Sequence, residues 1–251
     1  MKRSLLLSLL AIGASGWLGS CSSIPSSGAR LDAKTDAVLT AMSDKLAAAK
    51  TLRVSSSRKA SPGFHAGVAI AESSSGTVVV QRPDKLVARA NTSEGKRTIG
   101  LTNGKVTLVD HKAGTHASVK ATGDIDQTLR SIEEIYGIMP PVAELLVNHP
   151  RAFLLDGVKT GSFVGNENVG GVSCDHLAFT QEGLTWDLWV ATGDSLPRRM
   201  KVTYPNGTGG APLTMTADIS KWELGASLSA ADLSIGIPAD SVAVEMIPLN
   251  N

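Results

Sequence analysis

The strongest constraint on the fold is a series of short alternating or β-branched runs that turn residues separate along the chain. The clearest pair covers residues 97–102 and 105–110, joined by Asn103-Gly104, a dipeptide typical of two-residue hairpin turns. Further strands are predicted at residues 52–57, 67–71, 77–82, 85–90, 116–120, 157–164, 172–180, 185–190, 197–204 and 213–222. Sequential strands with such short connections predict a large antiparallel sheet.

Three other segments are predicted to be helical. Residues 32–50 and 125–136 place apolar side chains at helical spacing. Asp124 and Gly137 flank the second segment and supply a helix start and a helix stop. A third, short helix is expected to begin at the two prolines of residues 140–141 and to run to residue 147. Helices at these positions cover one face of the sheet, and the absence of a repeat or a second linker predicts one α+β domain over residues 32–251.

The N-terminus has the layout of a secretory signal peptide. Two basic residues precede an apolar stretch at residues 5–18, which is shorter than the roughly 20 residues of a transmembrane helix. Residues 18–21 read Leu-Gly-Ser-Cys and resemble the lipobox cleaved by the bacterial lipoprotein signal peptidase. The resemblance implies that residues 1–20 are removed and that acyl chains on Cys21 hold the protein on a membrane. An ordinary secretory signal is the alternative.

Residues 21–31 are predicted to form a flexible tether because they are rich in Ser, Pro and Gly. Ser22 follows the predicted lipidation site, where an aspartate would resemble an inner-membrane retention signal of enteric bacteria. The periplasmic face of the outer membrane is therefore expected, rather than the inner membrane.

Composition narrows the possible partners. The predicted signal holds two of the 24 basic residues and none of the 23 acidic residues, so the mature chain is nearly neutral and a nucleic-acid partner is not expected. With Cys21 acylated, Cys174 is the remaining thiol and no intrachain disulfide can form. Few tyrosines and phenylalanines favour an aliphatic ligand over a stacked sugar or base.

Several segments resemble a known group of proteins. They are QRPDKL at residues 81–86, EIYGI at 134–138, GVSCDHLAF at 171–179, TWDLW at 185–189 and LPRR at 196–199. These segments look like a group of predicted periplasmic proteins of unknown function within the LolA-like lipoprotein-carrier superfamily, and the resemblance covers residues 32–248. It implies an incomplete (half) barrel whose concave apolar face is covered by helices and can hold acyl chains. It does not imply an established activity.

One strand places residue types of nucleophilic catalysis side by side. Cys174 and His176 are expected to share a face of the strand, with Asp175 on the other face. Cβ atoms two residues apart on a strand are about 7 Å apart, which is too far for a direct hydrogen bond without favourable rotamers. No catalytic residue is therefore predicted, and Asp175 is expected to pair with Arg198 or Arg199.

No metal site or cofactor is predicted. His111 and His116 flank a turn, but two histidines without a nearby carboxylate or cysteine at ligand spacing fall short of the three or four ligands of a zinc site. The sequence also contains no Gly-x-Ser-x-Gly, phosphate-loop or His-Glu-x-x-His motif.

Apolar positions at strand and helix spacing are the candidates for ligand binding, and a fraction of them is expected to line a cavity. They are Val79, Leu86, Leu101, Val106, Leu108, Ile132, Tyr136, Leu145, Trp186, Leu188, Val190 and Met200. The favoured function is a carrier or sensor of a lipid or other acylated ligand. The alternative is a protein-interaction module of the cell envelope without a small ligand, and an enzyme ranks third.

Overall fold

The computed structural model describes residues 28–62, 64–66, 68–69, 72–140, 142–205 and 211–249. The strands are β1 (Arg30–Leu31), β2 (Thr51–Ala60), β3 (His65–Ala66), β4 (Val68–Ala69), β5 (Ser73–Gln81), β6 (Lys85–Thr92), β7 (Gly95–Thr102), β8 (Lys105–Asp110), β9 (Thr115–Lys120), β10 (Val158–Val169), β11 (Val172–Gln181), β12 (Leu184–Ala191), β13 (Pro197–Tyr204), β14 (Leu213–Leu224) and β15 (Val242–Ala243). The helices are α1 (Ala33–Ala48), α2 (Ile125–Tyr136), the 3-10 turn Ala143–Leu145 and α3 (Pro150–Leu154).

Most strands belong to one sheet. Its order is β1-β10-β11-β12-β13-β14-β2-β5-β6-β7-β8-β9-β15, while β3 and β4 form a separate hairpin. Neighbouring strands are antiparallel, except that the two-residue strands at the two ends pair in parallel. The meanders β5–β9 and β10–β14 meet at β2, and in the described residues the two ends of the sheet do not pair with each other. The predicted fold class, an α+β fold with a large open antiparallel sheet, is confirmed.

Strands β8 and β13 have the predicted bounds, and β7 and β8 form the hairpin predicted at Asn103-Gly104. Of the strand predicted at 67–71, the described part is β4, and residues 67 and 70–71 lie outside the described residues. Strand β1 was not predicted. It pairs with β10, so the end of the predicted tether belongs to the sheet.

The helix predicted at residues 125–136 is confirmed at both ends. Asp124 accepts a hydrogen bond from the backbone N–H of Gln127, whose side chain in turn accepts one from the Asp124 backbone N–H. Gly137 ends α2 with φ 64°, a left-handed conformation that favours glycine. Of the helix predicted over residues 140–147, the structure contains only the 3-10 turn Ala143–Leu145, because Val142 has φ 54°, which a right-handed helix does not accommodate.

One face of the sheet, called the inner face below, packs against the helices. Side chains of β2 alternate between the two faces, so Leu52 and Val54 point into this core. They lie opposite three residues of α1: Leu39, Met42 and Leu46. The buried residues of α2 join the same cluster. The packing of α1 and α2 against the inner face follows from their apolar stripes.

The other face, called the outer face, is partly covered by the chain after β14. Arg89 of β6 donates hydrogen bonds to the carbonyl oxygens of Ala231, Asp232 and Ser234 at 3.1, 3.0 and 2.6 Å. Gly100 of β7 faces Ile235 so closely that an added Cβ would lie 2.8 Å from its Cγ1. None of the described helices is long and apolar enough to cross a membrane.

Arg82, in the turn between β5 and β6, ties the helices to the sheet. Its Nε donates to the carbonyl oxygen of Ala49 at 3.0 Å, and its terminal nitrogens donate to those of Leu46 at 3.2 Å, Leu146 at 2.8 Å and Val147. Burial lowers the pKa of the Arg82 guanidinium, an effect that the Asp126 carboxylate partly offsets. One side chain thus satisfies carbonyl groups at the end of α1 and after the 3-10 turn.

Candidate ligand cavity

A cavity of about 570 Å³ lies between the inner face and the segment that follows α2. Its volume is within the range of small-molecule sites, roughly 300–1,000 Å³. The sheet and its β6–β7 turn contribute Arg58, Ser74, Ala88, Ala90, Thr92, Glu94, Arg97, Ile99, Leu108, Asp110, Thr115, Met200, Val202, Tyr204, Met215 and Ala217. Other lining residues are Phe64, Glu133, Gly137, Ile138, Met139, Pro140, Val142 and Glu144.

The cavity exists because side chains on the inner face become small along the strands. On β6 the inward residues change from Leu86 to Ala88 and Ala90. On β2, Arg58 pairs with Ser74 on one side and with Ala217 on the other, so that no bulky neighbour fills the space beside it. The sheet therefore leaves a space that the residues after Gly137 cross without filling.

Arg58 brings a positive charge to the cavity wall. It continues the inward row of Leu52 and Val54 on β2, and its Nε is buried without a hydrogen-bond partner among the described residues. Burial lowers the pKa of its guanidinium; the carboxylate of Glu144 acts in the opposite direction, and Arg97 adds to the lowering. Arg58 also forms no ion pair within 4.0 Å with any described residue.

Two carboxyl groups face the same space from the helical side. Burial, reinforced by the nearby Glu133 carboxylate, raises the pKa of Glu144 to about 7. Burial also raises the pKa of Glu133, against the charge of Arg130. Neither carboxyl group has a cationic nitrogen of a described residue within 4.0 Å. The pKa of the Tyr204 hydroxyl is raised by burial first and then by these two carboxylates.

Arg97 differs from Arg58 although both line the cavity. Its Nε lies 3.2 Å from Oδ2 of Asp110, and its Nη2 lies 2.7 Å from Oε2 of Glu94. The backbone N–H of Ala113, more than Arg97 itself, holds the pKa of Asp110 below its usual range. Arg97 is therefore held in two ion pairs, whereas Arg58 forms none within 4.0 Å of the described residues.

The twelve ligand-binding candidates from the sequence are placed in three environments. Leu108 and Met200 line the cavity. Tyr136 is partly buried against the main core, and Val79 lies on the outer face of β5, where it pairs with Val87. The remaining eight are buried in the main core beyond the cavity: Leu86, Leu101, Val106, Ile132, Leu145, Trp186, Leu188 and Val190.

The sequence did not predict four polar lining residues, because an acyl-chain site is expected to be apolar: Arg58, Glu133, Glu144 and Tyr204. A signal for Arg58 is present in the sequence, since it occupies an inward position in the alternation of β2. A buried arginine in such a row marks either an ion pair or a binding site. Nothing comparable marks Glu144, whose segment has no regular period.

The Cys174 and His176 side chains lie on the outer face, away from the cavity. Cys174 is buried, its Sγ lies 3.5 Å from the carbonyl oxygen of Val172, and burial raises the pKa of its thiol. The ring nitrogens of His176 contact Oε1 of Glu167 at 2.9 Å and Oδ1 of Asp187 at 2.8 Å instead of the thiol. His176 therefore does not act as a base toward the Cys174 thiol in this structure.

Asp175 does not pair with either of the arginines named from the sequence. Its carboxylate accepts hydrogen bonds from Lys34 at 2.9 Å and from the side-chain amide of Asn166 at 2.7 Å. Arg198 and Arg199 pair with other aspartates on neighbouring segments. The prediction was wrong because Asp175 lies on the inner face of β11, opposite Val190 of β12, whereas Arg199 pairs with Trp189 on the outer face.

The two turn histidines also have protein partners. His111 Nε2 lies 2.9 Å from Oγ1 of Thr98, and His116 Nδ1 lies 2.6 Å from Oγ of Ser241. Within the described ranges no group of three or more His, Cys, Asp or Glu side chains could hold a metal ion. Cys21 and the predicted signal lie outside the described residues.

Three solved protein structures are similar to this chain. An uncharacterized conserved protein from Thermus thermophilus is similar at 9% identity and a TM-score of 0.51, covering 84% of this chain and 99% of that chain. LprF from Mycobacterium bovis is similar at 13% identity and a TM-score of 0.48, with the same coverage. A LolA superfamily protein from Nitrosomonas europaea matches at 11% identity and a TM-score of 0.35, over 80% of this chain and 97% of that chain.

The likeness to the Thermus protein shows a shared fold and nothing about activity. None of the curated proteins matches the sequence. One family model, described as a predicted periplasmic protein (DUF2092), matches residues 35–247, which span most of the chain. The family resemblance stated from the sequence is thereby confirmed, and the chain belongs to the DUF2092 family of predicted periplasmic proteins.

Proposed function

We propose that this chain is a lipoprotein, held by acyl chains on Cys21 at the periplasmic face of the outer membrane, that carries or senses a hydrophobic ligand. The observation that carries the proposal is the cavity of about 570 Å³. Its wall is formed largely by apolar side chains from β6, β7, β13 and β14. Unfilled apolar surface of this kind is stabilised by an acyl chain at about 0.8 kcal/mol for each buried methylene group.

Ligand binding is tested with the full chain carrying Cys21→Ser, so that its own acyl chains do not compete. We expect a lipid to be extracted from the purified protein and identified by mass spectrometry. A fluorescent fatty-acyl probe should also bind saturably and be displaced by unlabelled fatty acid. If no lipid co-purifies and the probe shows no saturable binding, the ligand proposal is wrong.

The anchor is tested separately because it depends on one thiol. Wild-type protein should incorporate labelled palmitate and fractionate with the outer membrane, whereas Cys21→Ser should take up no label. One acyl chain gives only marginal attachment and two or three give a stable one, so the variant should leave the membrane or remain an uncleaved precursor. A wild-type protein that takes up no label would contradict the proposal.

A protein-interaction module is the second candidate, and the edge of the sheet favours it. Strand β1 pairs with β10 only at Thr160 and Gly161, so in the described residues the outer edge of β10 beyond Phe163 is not paired with another strand. Val164 on this stretch is 55% exposed. A free edge accepts an added strand from a partner. The cavity favours ligand binding over this candidate, because a docking scaffold needs no internal space.

A partner that adds a strand should protect the β10 backbone amides from hydrogen exchange. Val164→Lys would place a charge on this edge, which is how natural edge strands prevent strand addition, and it should abolish capture of an envelope protein with acyl-probe binding unchanged. Loss of acyl-probe binding in Val164→Lys, with the fold intact, would argue against two separate sites.

A further inference from the structure

The polar residues of the cavity are unusual because they carry opposite charges and yet form no direct ion pair with each other among the described residues. Arg58 projects from β2, while Glu133 and Glu144 face the same cavity from α2 and the 3-10 turn. In the part of the chain that the structure describes, no ion pair within 4.0 Å joins the arginine to either carboxylate. The sheet and the helical segment therefore hold a cation and two carboxyl groups apart across an open space.

The pKa shifts of these groups indicate that burial disfavours their charged forms. Burial lowers the pKa of Arg58 and raises that of Glu144, which means that both charged forms lack sufficient compensation. The buried Nε of Arg58 adds a donor with no partner among the described residues. A buried donor without a partner beside groups with perturbed pKa values is a feature of functional sites, and a ligand in the cavity would satisfy it.

We infer that the cavity binds an amphiphile with a zwitterionic head group, whose anionic phosphate meets Arg58 and whose ammonium group meets Glu133 and Glu144. This inference rests on the proposed function, because it assumes that an acyl chain occupies the apolar wall. A phosphoethanolamine head group has the required chemistry: a guanidinium binds phosphate through charge-assisted hydrogen bonds, and a carboxylate accepts them from an ammonium group.

Singly charged amphiphiles fit less well. A fatty-acid carboxylate could pair with Arg58, but it would face the two carboxyl groups of Glu133 and Glu144 without a compensating cation. An alkylamine could pair with the carboxyl groups, but it would leave Arg58 unpaired and would place its ammonium charge near that guanidinium. Arg97 does not change this balance, because Glu94 and Asp110 already bind it.

The test compares four probes with the same saturated chain: a lysophosphatidylethanolamine, the fatty acid, the alkylamine and the alcohol. The protein is the full chain with Cys21→Ser, and displacement of a fluorescent acyl probe gives each affinity. We expect the zwitterionic probe to bind at least about tenfold more tightly than the other three, since it alone pairs with both kinds of charge in the cavity. Glycerophosphoethanolamine, which has the head group without the chain, should compete far more weakly.

Variants assign each charge. Arg58→Gln should abolish the preference for the zwitterion over the alkylamine, and Glu144→Gln should reduce its preference over the fatty acid. Arg58→Lys keeps the charge and should retain part of the preference. Arg53→Gln is the matched control, because Arg53 lies on the same strand but pairs with Asp232 at 2.9 Å on the outer face.

The outcomes separate this inference from the proposed function. Four probes that bind equally well, or an Arg58→Gln protein that folds and keeps the full preference, would overturn the zwitterionic head group while acyl binding stands. Equal competition by glycerophosphoethanolamine would overturn the amphiphile and indicate a soluble ligand. Failure of every probe to bind would overturn the proposed function itself.

Discussion

The two ends of the inner face are built from the same strands but differ in packing. At one end Leu52, Val54, Leu86 and Leu101 are almost completely buried beneath α1 and α2. At the other end the same strands present Arg58, Ser74 and Ala90, and a cavity replaces the core. The backbone continues unchanged between the two ends, so side-chain size along each strand decides where the sheet is filled and where it is open.

The helical layer follows the same division. Helices α1 and α2 place whole apolar stripes on the packed end. After Gly137 the chain crosses the open end in an irregular segment, which contributes Ile138, Met139 and Val142 to the wall. A helix at this position would bring a continuous row of side chains into the cavity. The left-handed residues Gly137 and Val142 therefore help to keep the space open.

The difference in packing predicts that a Leu→Ala substitution lowers the free energy of unfolding by different amounts at the two ends of the inner face. Leu101→Ala should lower the free energy of unfolding by about 2–5 kcal/mol, because it creates a new void in a filled core. Leu108→Ala, on the adjacent strand, should cost about 1 kcal/mol, since Leu108 already borders empty space. Urea unfolding of both variants measures the difference. Equal losses of stability would show that the cavity closes in solution.

The fold could be predicted to a large extent because its signals are local. The Asn103-Gly104 turn determines the β7–β8 hairpin, and Asp124 with Gly137 determines the ends of α2. Each signal operates within a few residues, where turn and cap chemistry depends little on the rest of the chain. Strands β1 and β15 have only two residues each and depend on distant partners, so no local pattern indicates them.

The cavity could be predicted much less well. Its small residues Ser74, Ala90 and Ala217 become neighbours of Arg58 only through the pairing of β2 with β5 and of β5 with β6, and through the long-range pairing of β2 with β14. An apolar residue at an inward position is equally compatible with a filled core and with a cavity wall. Leu101 and Leu108 both occupy inward positions of alternating strands. Only the volumes of their neighbours place Leu101 in the filled core and Leu108 at the cavity wall.

Enlarging a side chain at each end tests the same comparison in the opposite direction to the two Leu→Ala substitutions. Ala143→Leu should destabilise the protein by about 1–3 kcal/mol, since Ala143 is fully buried in the packed core and an inserted side chain has no space there. Ala90→Leu should change stability by less than about 1 kcal/mol, because the added atoms enter the cavity. The same Ala90→Leu protein should bind an acyl probe at least about tenfold more weakly. Unchanged probe affinity in Ala90→Leu would place the binding site elsewhere.

The smallest expected effect is the pH dependence of stability that the Glu144 carboxyl group causes at the open end. Between pH 4.5 and about 7 the Glu144 carboxyl is protonated in the folded protein and ionised in the unfolded chain, so unfolding releases a proton. Rising pH therefore favours unfolding across this window, and the loss is complete above about pH 7. We expect the effect to be on the order of 1 kcal/mol, because water in the cavity screens part of the charge.

The pH effect is measured by urea unfolding of the ligand-free protein at pH 5 and at pH 8. The wild-type protein should lose about 1 kcal/mol more than Glu144→Gln between these values, since glutamine carries no titrating proton. Glu134→Gln is the matched control, because Glu134 is an exposed residue of α2 that does not line the cavity. A Glu144→Gln protein with the wild-type pH dependence would mean that another group causes it. If Glu134→Gln altered the pH dependence of stability as much as Glu144→Gln does, the carboxyl group at the open end would be as well solvated as one on the surface. The electrostatic contrast with the packed end would then be removed.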